Sequence, residues 1–262
     1  MFFTFFKSRK TSAKKVSEYY DEWTDRYLES YGETIQAYRP ESDEEFFDAL
    51  IKSIVLKNGM NILDAGCGVC GPSIYFANKL KLKIEAISIS AEQVRIASEK
   101  IKHNNIEGLN VQEGDFHNLR DIFPINYFDK IFFLESLGYA HTPDIVIESA
   151  FKLLKPGGQI YIKDFYPLAL KNSDYCKLQK NCLNELREIY KYNILDFSQT
   201  IQSLHSIGFK CDYIKKPSFS AENDCSFVFE RQNGIVHLEK QQGWPFEPYE
   251  WLEMLFTKPF DS

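Results

Sequence analysis

Hydrophobic and polar residues repeat with two different periods along this chain, and the change of period divides it. Over residues 11–57 apolar side chains recur every three or four residues, as at Phe46, Leu50 and Ile54, which is typical of the buried face of a helix. Ser42 and Glu45 have the spacing of a capping box at the start of the second such segment. The pattern predicts helices within 16–32 and 41–56.

From residue 60 short apolar runs alternate with amphipathic segments. The apolar runs predict five strands, at 60–65, 84–89, 109–114, 128–136 and 158–166. Helical patterns lie between them, at 72–80, 91–104 and 144–155. Such alternation is typical of parallel sheets, because each crossover carries a helix back over the sheet. We therefore predict an α/β fold with an open, mostly parallel, Rossmann-like sheet and helices on both faces.

The rest of the chain follows a looser pattern. A polar helical insertion at about 168–195 precedes a helix at 196–209 and two late strands at 210–216 and 225–232. The last thirty residues form an aromatic tail that we expect outside the regular alternation. The predicted units are an N-terminal helical cap (1–57), a Rossmann-like core (58–232) and a C-terminal aromatic extension (233–262).

Composition narrows the class of protein. Apolar residues make up 44% of the 262 residues and charged residues 26%, which are ordinary fractions for a soluble globular protein. The net charge of −6 argues against a nucleic-acid partner, which favours a basic surface. We find no run of 18 apolar residues and expect a cytoplasmic protein without a membrane span. For the N-terminal stretch "MFFTFFKSRK" three roles stay open: contact with a membrane surface, a frayed terminus, or a strand of an adjoining cap. The oligomeric state stays open, a homo-oligomer included.

The stretch "ILDAGCGVCGPS" carries the glycine spacing G-x-G-x-x-G at Gly66, Gly68 and Gly71. Glycines between a strand and a helix let the backbone approach a ligand closely. A dinucleotide site would have an acid at the end of the second strand, but this strand ends "AISIS", with Ser88 there. Asp64, two residues before the first glycine, would repel a pyrophosphate and suits a cationic cofactor. The loop therefore favours S-adenosyl-L-methionine over NAD.

Three motifs carry a family resemblance: "LDAGCGVCGPS", "ISISAEQV" and "LLKPGGQIYIKDF". Over residues 60–165 the chain resembles class I, Rossmann-fold S-adenosylmethionine-dependent methyltransferases. It is similar to the branch with cyclopropane fatty acid synthases and the sterol and terpenyl C-methyltransferases. The resemblance implies these cofactor-binding residues: Asp64, Gly66, Gly68, Ser88, Gln93, Asp115, Phe116 and Tyr20. Helix capping is the alternative role for Gln93, paired with Ser90, and for Asp115.

Candidate catalytic residues follow the fourth predicted strand, at the edge where a methyl donor would lie. The resemblance implies that Glu135 organises the active site; His141 either takes part in catalysis or supports the turn before the next helix. Tyr38 and Tyr166 complete the catalytic candidates. The motif C-x-x-C at 67–70 lacks the further ligands of a zinc site, so no metal is expected.

Aromatic residues make up 15% of the chain, an unusually high fraction that needs a structural or functional explanation. Aromatic faces stabilise a carbocation such as alkene methylation produces, although an aromatic-rich core would explain the same composition. The expected walls are Tyr20, Tyr38, Tyr139, Phe165, Tyr166 and Trp244. In this mechanism Glu135 takes the proton that quenches the cation or orients the group that does so. We predict a methyltransferase for a small, hydrophobic or isoprenoid-type metabolite, acting on an alkene carbon. The alternatives are an O- or N-methyltransferase of a small natural product and a non-catalytic cofactor-binding module.

Overall fold

Seven strands form one sheet in the computed structural model, which describes residues 10–40, 42–218 and 248–260. The strands are β1 (Asn61–Ala65), β2 (Lys83–Ser88), β3 (Leu109–Glu113), β4 (Phe128–Leu134), β5 (Leu154–Pro167), β6 (Lys210–Lys215) and β7 (Tyr249–Thr257). Their spatial order is β3-β2-β1-β4-β5-β7-β6. The first five strands run parallel, as predicted.

The helices lie on both faces of this sheet and confirm the predicted α/β fold. They are α1 (Ala13–Tyr31), α2 (Asp43–Ile54), α3 (Gly71–Lys79), α4 (Ala91–His103), α5 (Leu119–Ile122), α6 (Pro143–Leu153), α7 (Ser173–Tyr190) and α8 (Phe197–Ile207). One apolar core contains the buried side chains of α2 and α3, and the other contains those of α6. Successive strand residues supply opposite cores: Ile62 belongs to the first and Leu63 to the second.

Local signals set the ends of the N-terminal helices. Helix α1 ends at Gly32, whose φ of +65° lies in the region that only glycine enters without strain. At the start of α2 the Ser42 side chain accepts a hydrogen bond from the Glu45 backbone N–H, as the capping box predicts. Both helices therefore lie where the periodicity placed them.

The C-terminal tail requires a correction. We expected it outside the regular alternation, but Tyr249–Thr257 form β7, which lies between β5 and β6 and runs antiparallel to both. Almost every residue of this strand is buried, so the tail completes the sheet instead of covering it. The predicted strand at 225–232, Trp244 and the first nine residues lie outside the described residues.

Two searches of the described residues had negative results. None of the helices there combines the length and apolarity that crossing a bilayer requires. Within the same residues no three side chains of His, Cys, Asp or Glu are grouped to hold a metal ion. Cys67 and Cys70 are both buried free thiols.

Candidate active site

The loop between β1 and α3 has a backbone that only small residues permit. Gly66 has a φ of +95°, and a Cβ placed on it would lie 2.5 Å from the Cβ of Ser136. The backbone N–H groups of Gly66 and Cys67 both donate to the carbonyl of Ile87, at 2.9 Å. The loop is therefore hydrogen-bonded to the end of β2 and packs closely against the segment after β4.

We expect Gly66→Ala to lower cofactor affinity at least tenfold, because the methyl group would displace the loop from Ser136. Gly59→Ala is the matched control: Gly59 also has a positive φ, +86°, but no atom lies within 4 Å of the added Cβ. Calorimetric titration with S-adenosylmethionine measures both variants. Equal affinities would show that the close approach at Gly66 has no part in binding.

A cavity opens over this loop at the carboxyl ends of the parallel strands, where ligands of such sheets bind. We call it the loop pocket. All eight residues that were predicted to contact the cofactor line this pocket: Asp64, Gly66, Gly68, Ser88, Gln93, Asp115, Phe116 and Tyr20. Residues that the sequence placed far apart therefore meet around one space.

The loop pocket is strongly acidic. Four carboxylic acids line it, at Glu33, Asp64, Asp115 and Glu135, and no Lys or Arg is among the described residues of its wall. The described wall therefore offers a pyrophosphate no cationic side chain, whereas its carboxyl groups suit a cofactor with an ammonium and a sulfonium. The charge of the wall therefore fits S-adenosylmethionine and does not fit a dinucleotide.

Asp64 is the most buried of these acids, with 2% of its surface exposed. Its Oδ2 accepts a hydrogen bond of 2.6 Å from the Ser73 hydroxyl. Burial raises the pKa of Asp64 to about 7, while the hydrogen bond from Ser73 opposes that rise. A cofactor ammonium beside this carboxyl would stabilise its charged form.

Ser88 and Gln93 meet at the end of β2. The Ser88 hydroxyl donates to Gln93 Oε1 at 2.7 Å, while Ser90 Oγ accepts from the Gln93 backbone N–H at 3.2 Å. Ser90 therefore caps α4, as one interpretation of the motif predicted. The Gln93 side chain turns instead towards Ser88 and the pocket, and its amide still carries N–H donors suited to hydroxyl groups.

Asp115 lies where β3 ends and the wall turns towards Phe116. Its Oδ1 accepts from the His117 backbone N–H at 2.9 Å and from the His117 ring Nδ1 at 2.5 Å. Although burial raises the pKa of Asp115, the hydrogen bonds from His117 outweigh this and lower it. Asp115 therefore both caps the turn after β3 and presents a charged carboxylate to the pocket.

His141 is a catalytic candidate that the structure places behind the wall. Its ring lies 3.8 Å from the ring of His117, centroid to centroid, and it lines neither the loop pocket nor the cavity beside it. Lys10 Nζ donates to the His141 carbonyl at 2.8 Å. His141 therefore lies outside both cavities, and its role stays a prediction.

A second cavity, which we call the aromatic pocket, adjoins the loop pocket. The two share Tyr20, Ile35, Gln36, Glu135 and Tyr139 in their walls. Nine aromatic side chains line the aromatic pocket: Tyr20, Tyr27, Tyr31, Tyr139, Phe165, Tyr190, Tyr192, Tyr249 and Trp251. Tyr20, Tyr139 and Phe165 were expected there from the sequence.

Glu135 stands between the two pockets, just after β4, with a φ of +54°. Its Oε2 accepts from the Ala37 backbone N–H at 2.7 Å, and its Oε1 accepts from the Tyr38 N–H at 3.3 Å and from Lys163 Nζ. Three donors thus hold this carboxylate, which in turn holds the segment after α1 over the site. A left-handed backbone in a non-glycine residue is a strained feature of the kind found at functional sites.

Two predicted catalytic tyrosines lie elsewhere. Tyr38 stacks on Trp251, with centroids 5.3 Å apart, and lines neither pocket. Tyr166 is fully buried in the core on the other face of the sheet, where its hydroxyl lies 3.9 Å from Met254 Sδ. The reason is the alternation along β5, which turns Phe165 into the aromatic pocket and Tyr166 away from it.

Comparisons with known proteins agree with this geometry. A methyltransferase domain family matches residues 56–215. Over 206 residues the chain is 26% identical to sterol 24-C-methyltransferase ERG6A of Gibberella zeae, covering 76% of this chain and 54% of the relative. The chain spans about half the length of the curated relatives that it matches.

Solved structures share the fold over almost the whole chain. The [4+2]-cyclase SpnF matches with a TM-score of 0.75 and 19% identity, covering 95% of this chain and 97% of that one. Geranyl diphosphate C-methyltransferase from Streptomyces coelicolor, solved with S-adenosyl-L-homocysteine, matches with a TM-score of 0.71 and 13% identity, covering 94% and 97%.

The chain therefore belongs to the methyltransferase domain family. Its fold is the Rossmann-like fold of the S-adenosylmethionine-dependent methyltransferases, and its cofactor is S-adenosyl-L-methionine.

Proposed function

We propose that the protein transfers the methyl group of S-adenosylmethionine to an alkene carbon of a small, uncharged, hydrophobic substrate of the isoprenoid type. The observation that carries this proposal is the aromatic pocket, with nine rings beside the cofactor site. No Lys or Arg is among the described residues of its wall. A diphosphate head group would need such cations, so the pocket favours an alcohol or hydrocarbon.

The residues shared by the two pockets would bring the reactants together. The bound cofactor supplies an electrophilic methyl group. Tyr20 and Tyr139 line both cavities and their hydroxyls are hydrogen-bonded to each other, so they fix the walls where the two cavities adjoin. Methyl transfer depends mainly on such positioning, with the nucleophile in line behind the methyl group.

The aromatic rings would then stabilise the positive charge that passes to the substrate. Each aromatic face near a cation contributes about 0.5–2 kcal/mol. Stacked and edge-on contacts among the wall residues, such as Phe165 with Tyr192 at 5.0 Å, keep these faces in place. Glu135, with its oxygens engaged by three donors, orients this wall and is not the proton acceptor in our scheme.

N-methylation of an amine is the second candidate. Aromatic rings beside the Glu135 carboxylate would also bind a cationic amine. A phosphoethanolamine N-methyltransferase of Arabidopsis thaliana is among the relatives, at 27% identity over 172 residues. An ammonium must lose a proton before it can attack, and this requirement separates the two reactions experimentally.

The test is incubation of the purified protein with methyl-labelled cofactor and four sets of compounds: isoprenoid alcohols and sterols, the corresponding diphosphates, phenols, and small amines. We expect label in the first set only. Label transferred to amines or phenols would replace the proposal by N- or O-methylation. Cofactor binding without any transfer would instead favour a non-catalytic binding module.

Replacing Phe165 by Leu should lower kcat/KM about tenfold, because one aromatic face lost from a cationic site costs about 0.5–2 kcal/mol. Tyr166→Phe is the control on the same strand, since Tyr166 faces the opposite core, and its kcat/KM should stay unchanged. Steady-state kinetics with the accepted alkene measures both. If Phe165→Leu reacts as fast as Tyr166→Phe, the rings do not serve the reaction.

A further inference from the structure

Tyr192 packs closely against three neighbours in the wall of the aromatic pocket. Its ring stacks on Phe165 and meets Tyr139 edge-on, with centroids 4.4 Å apart in the latter pair. It also covers Gly138 so closely that a Cβ there would lie 2.1 Å from the Tyr192 Cζ. Three neighbours thus hold the phenol ring, which forms part of the wall of the aromatic pocket.

The Tyr192 hydroxyl donates to the carboxylate of Asp164, which is fully buried in β5. Asp164 Oδ1 also accepts from the Phe165 backbone N–H at 2.8 Å, and Oδ2 accepts from the Gly138 N–H at 3.2 Å. All of these donors are neutral. Burial raises the pKa of Asp164 to about 7, with the hydrogen bond from Tyr192 opposing the rise.

Alkene methylation needs a group of this kind. Once the alkene has bonded to the methyl carbon, a neighbouring C–H bond must break so that its electrons form the new double bond. Glu135 is a poor acceptor for that proton, because Lys163 and two backbone N–H groups engage its oxygens. Asp164 is better suited, because its hydrogen-bond donors are all neutral and one of them, Tyr192, lines the aromatic pocket.

We propose that Tyr192 and Asp164 together accept the proton that the methylated substrate loses, a role that rests on the proposed alkene methylation. The C–H electrons form the new C=C bond, the proton passes to Tyr192 Oη, and the hydroxyl proton of Tyr192 passes to Asp164. After the product leaves, the proton returns from Asp164 through the Tyr192 hydroxyl to water that enters the aromatic pocket. Atoms and charge balance, with no further reactant.

With the cofactor saturating at every pH, so that the titration of Asp64 does not limit binding, the rate should rise with pH through about 7, because Asp164 accepts a proton only when ionised. The pKa of Asp164 also depends on the other titratable groups around it: one carboxylate just after β4, the neighbouring lysine on β5 and three neutral phenols. These are Glu135, Lys163, Tyr139, Tyr166 and Tyr192. Asp164→Asn should therefore remove the rise, whereas a variant at another group would only shift it.

Tyr192→Phe is the decisive variant, and its readout is the product. We expect the label still to reach the substrate but the normal alkene to form at least tenfold more slowly, with other double-bond isomers or the water-trapped alcohol in its place. Tyr166→Phe, which removes a buried hydroxyl outside the pocket, should give the normal product. A merely structural role of Tyr192 would lower the rate without changing the product.

The outcomes separate this inference from the proposed function. If the wild-type protein methylates no alkene, the proposed function fails before Tyr192 is tested. If the wild type methylates an alkene but Tyr192→Phe gives the same product at the same rate, and Asp164→Asn keeps the pH dependence, the proton has another acceptor.

Discussion

Replacing Lys163 with Met should lower the free energy of unfolding by about 3–5 kcal/mol, because it leaves a charge without its partner inside the protein. Lys163 is fully buried, and its ammonium pairs with the Glu135 carboxylate, of whose side chain 11% is exposed. The same ammonium lies 5.2 Å from the Phe46 ring centroid and 5.3 Å from that of Trp251. Burial lowers the pKa of Lys163, and the nearby Glu135 opposes this.

The double variant Lys163→Met/Glu135→Gln should recover much of the lost stability, because no unpaired charge then remains buried. Arg95→Met is the control for an exposed cation, since the Arg95 side chain is 53% exposed and pairs with acids on its own helix. Its unfolding midpoint should stay near that of the wild type. Chemical denaturation measures all three variants. If Lys163→Met unfolds at the same midpoint as Arg95→Met, the buried pair does not anchor this region.

Asp64→Asn should weaken cofactor binding about 10- to 100-fold, the equivalent of a hydrogen bond to a charged group of about 1.5–3 kcal/mol. Asn retains an oxygen for the Ser73 hydroxyl, so the loop should keep its structure. The wild-type affinity should also rise as the pH increases from 6 to 8, because an acid with a pKa of about 7 is neutral below that value and cannot attract an ammonium.

Calorimetric titration at both pH values gives the affinities. Asp129→Asn is the matched control. Asp129, like Asp64, is an aspartate within a parallel strand, but it lies near the start of β4, at the end of the sheet opposite the loop pocket, and pairs with Lys155. Its affinity for the cofactor should equal that of the wild type. Tight binding by Asp64→Asn at pH 8, or a wild-type affinity independent of pH, would remove Asp64 from the cofactor site.

The local pattern of the sequence predicted most of the fold and of the cofactor site. Five strands and the helices between them follow from periodicity, which each segment carries by itself. Most contacts of the loop pocket were predictable because they lie at or just after the carboxyl ends of strands, which meet at one edge of the sheet. Asp64 and Asp115 are examples: Asp64 is the last residue but one of β1, and Asp115 follows the end of β3 by two residues.

The remaining features depend on interactions between distant segments. Nothing local to Tyr249–Thr257 indicates that this strand enters between β5 and β6, because antiparallel pairing with a distant strand leaves no mark on its own pattern. Along β5 a shift of one residue exchanges the faces of Phe165 and Tyr166. Lys163 and Asp164 were a missed signal: two adjacent charges inside an apolar strand indicate buried partners.

Transfer of a deuterated methyl group from the cofactor to an isoprenoid alkene tests the central claim most directly. The product should gain one deuterated methyl group and lose one hydrogen, and NMR should place that methyl on a carbon atom of the new double bond or on one next to it. Deuterated methyl found on oxygen or nitrogen, or an alkene recovered unlabelled while the cofactor binds, would contradict alkene methylation in the aromatic pocket.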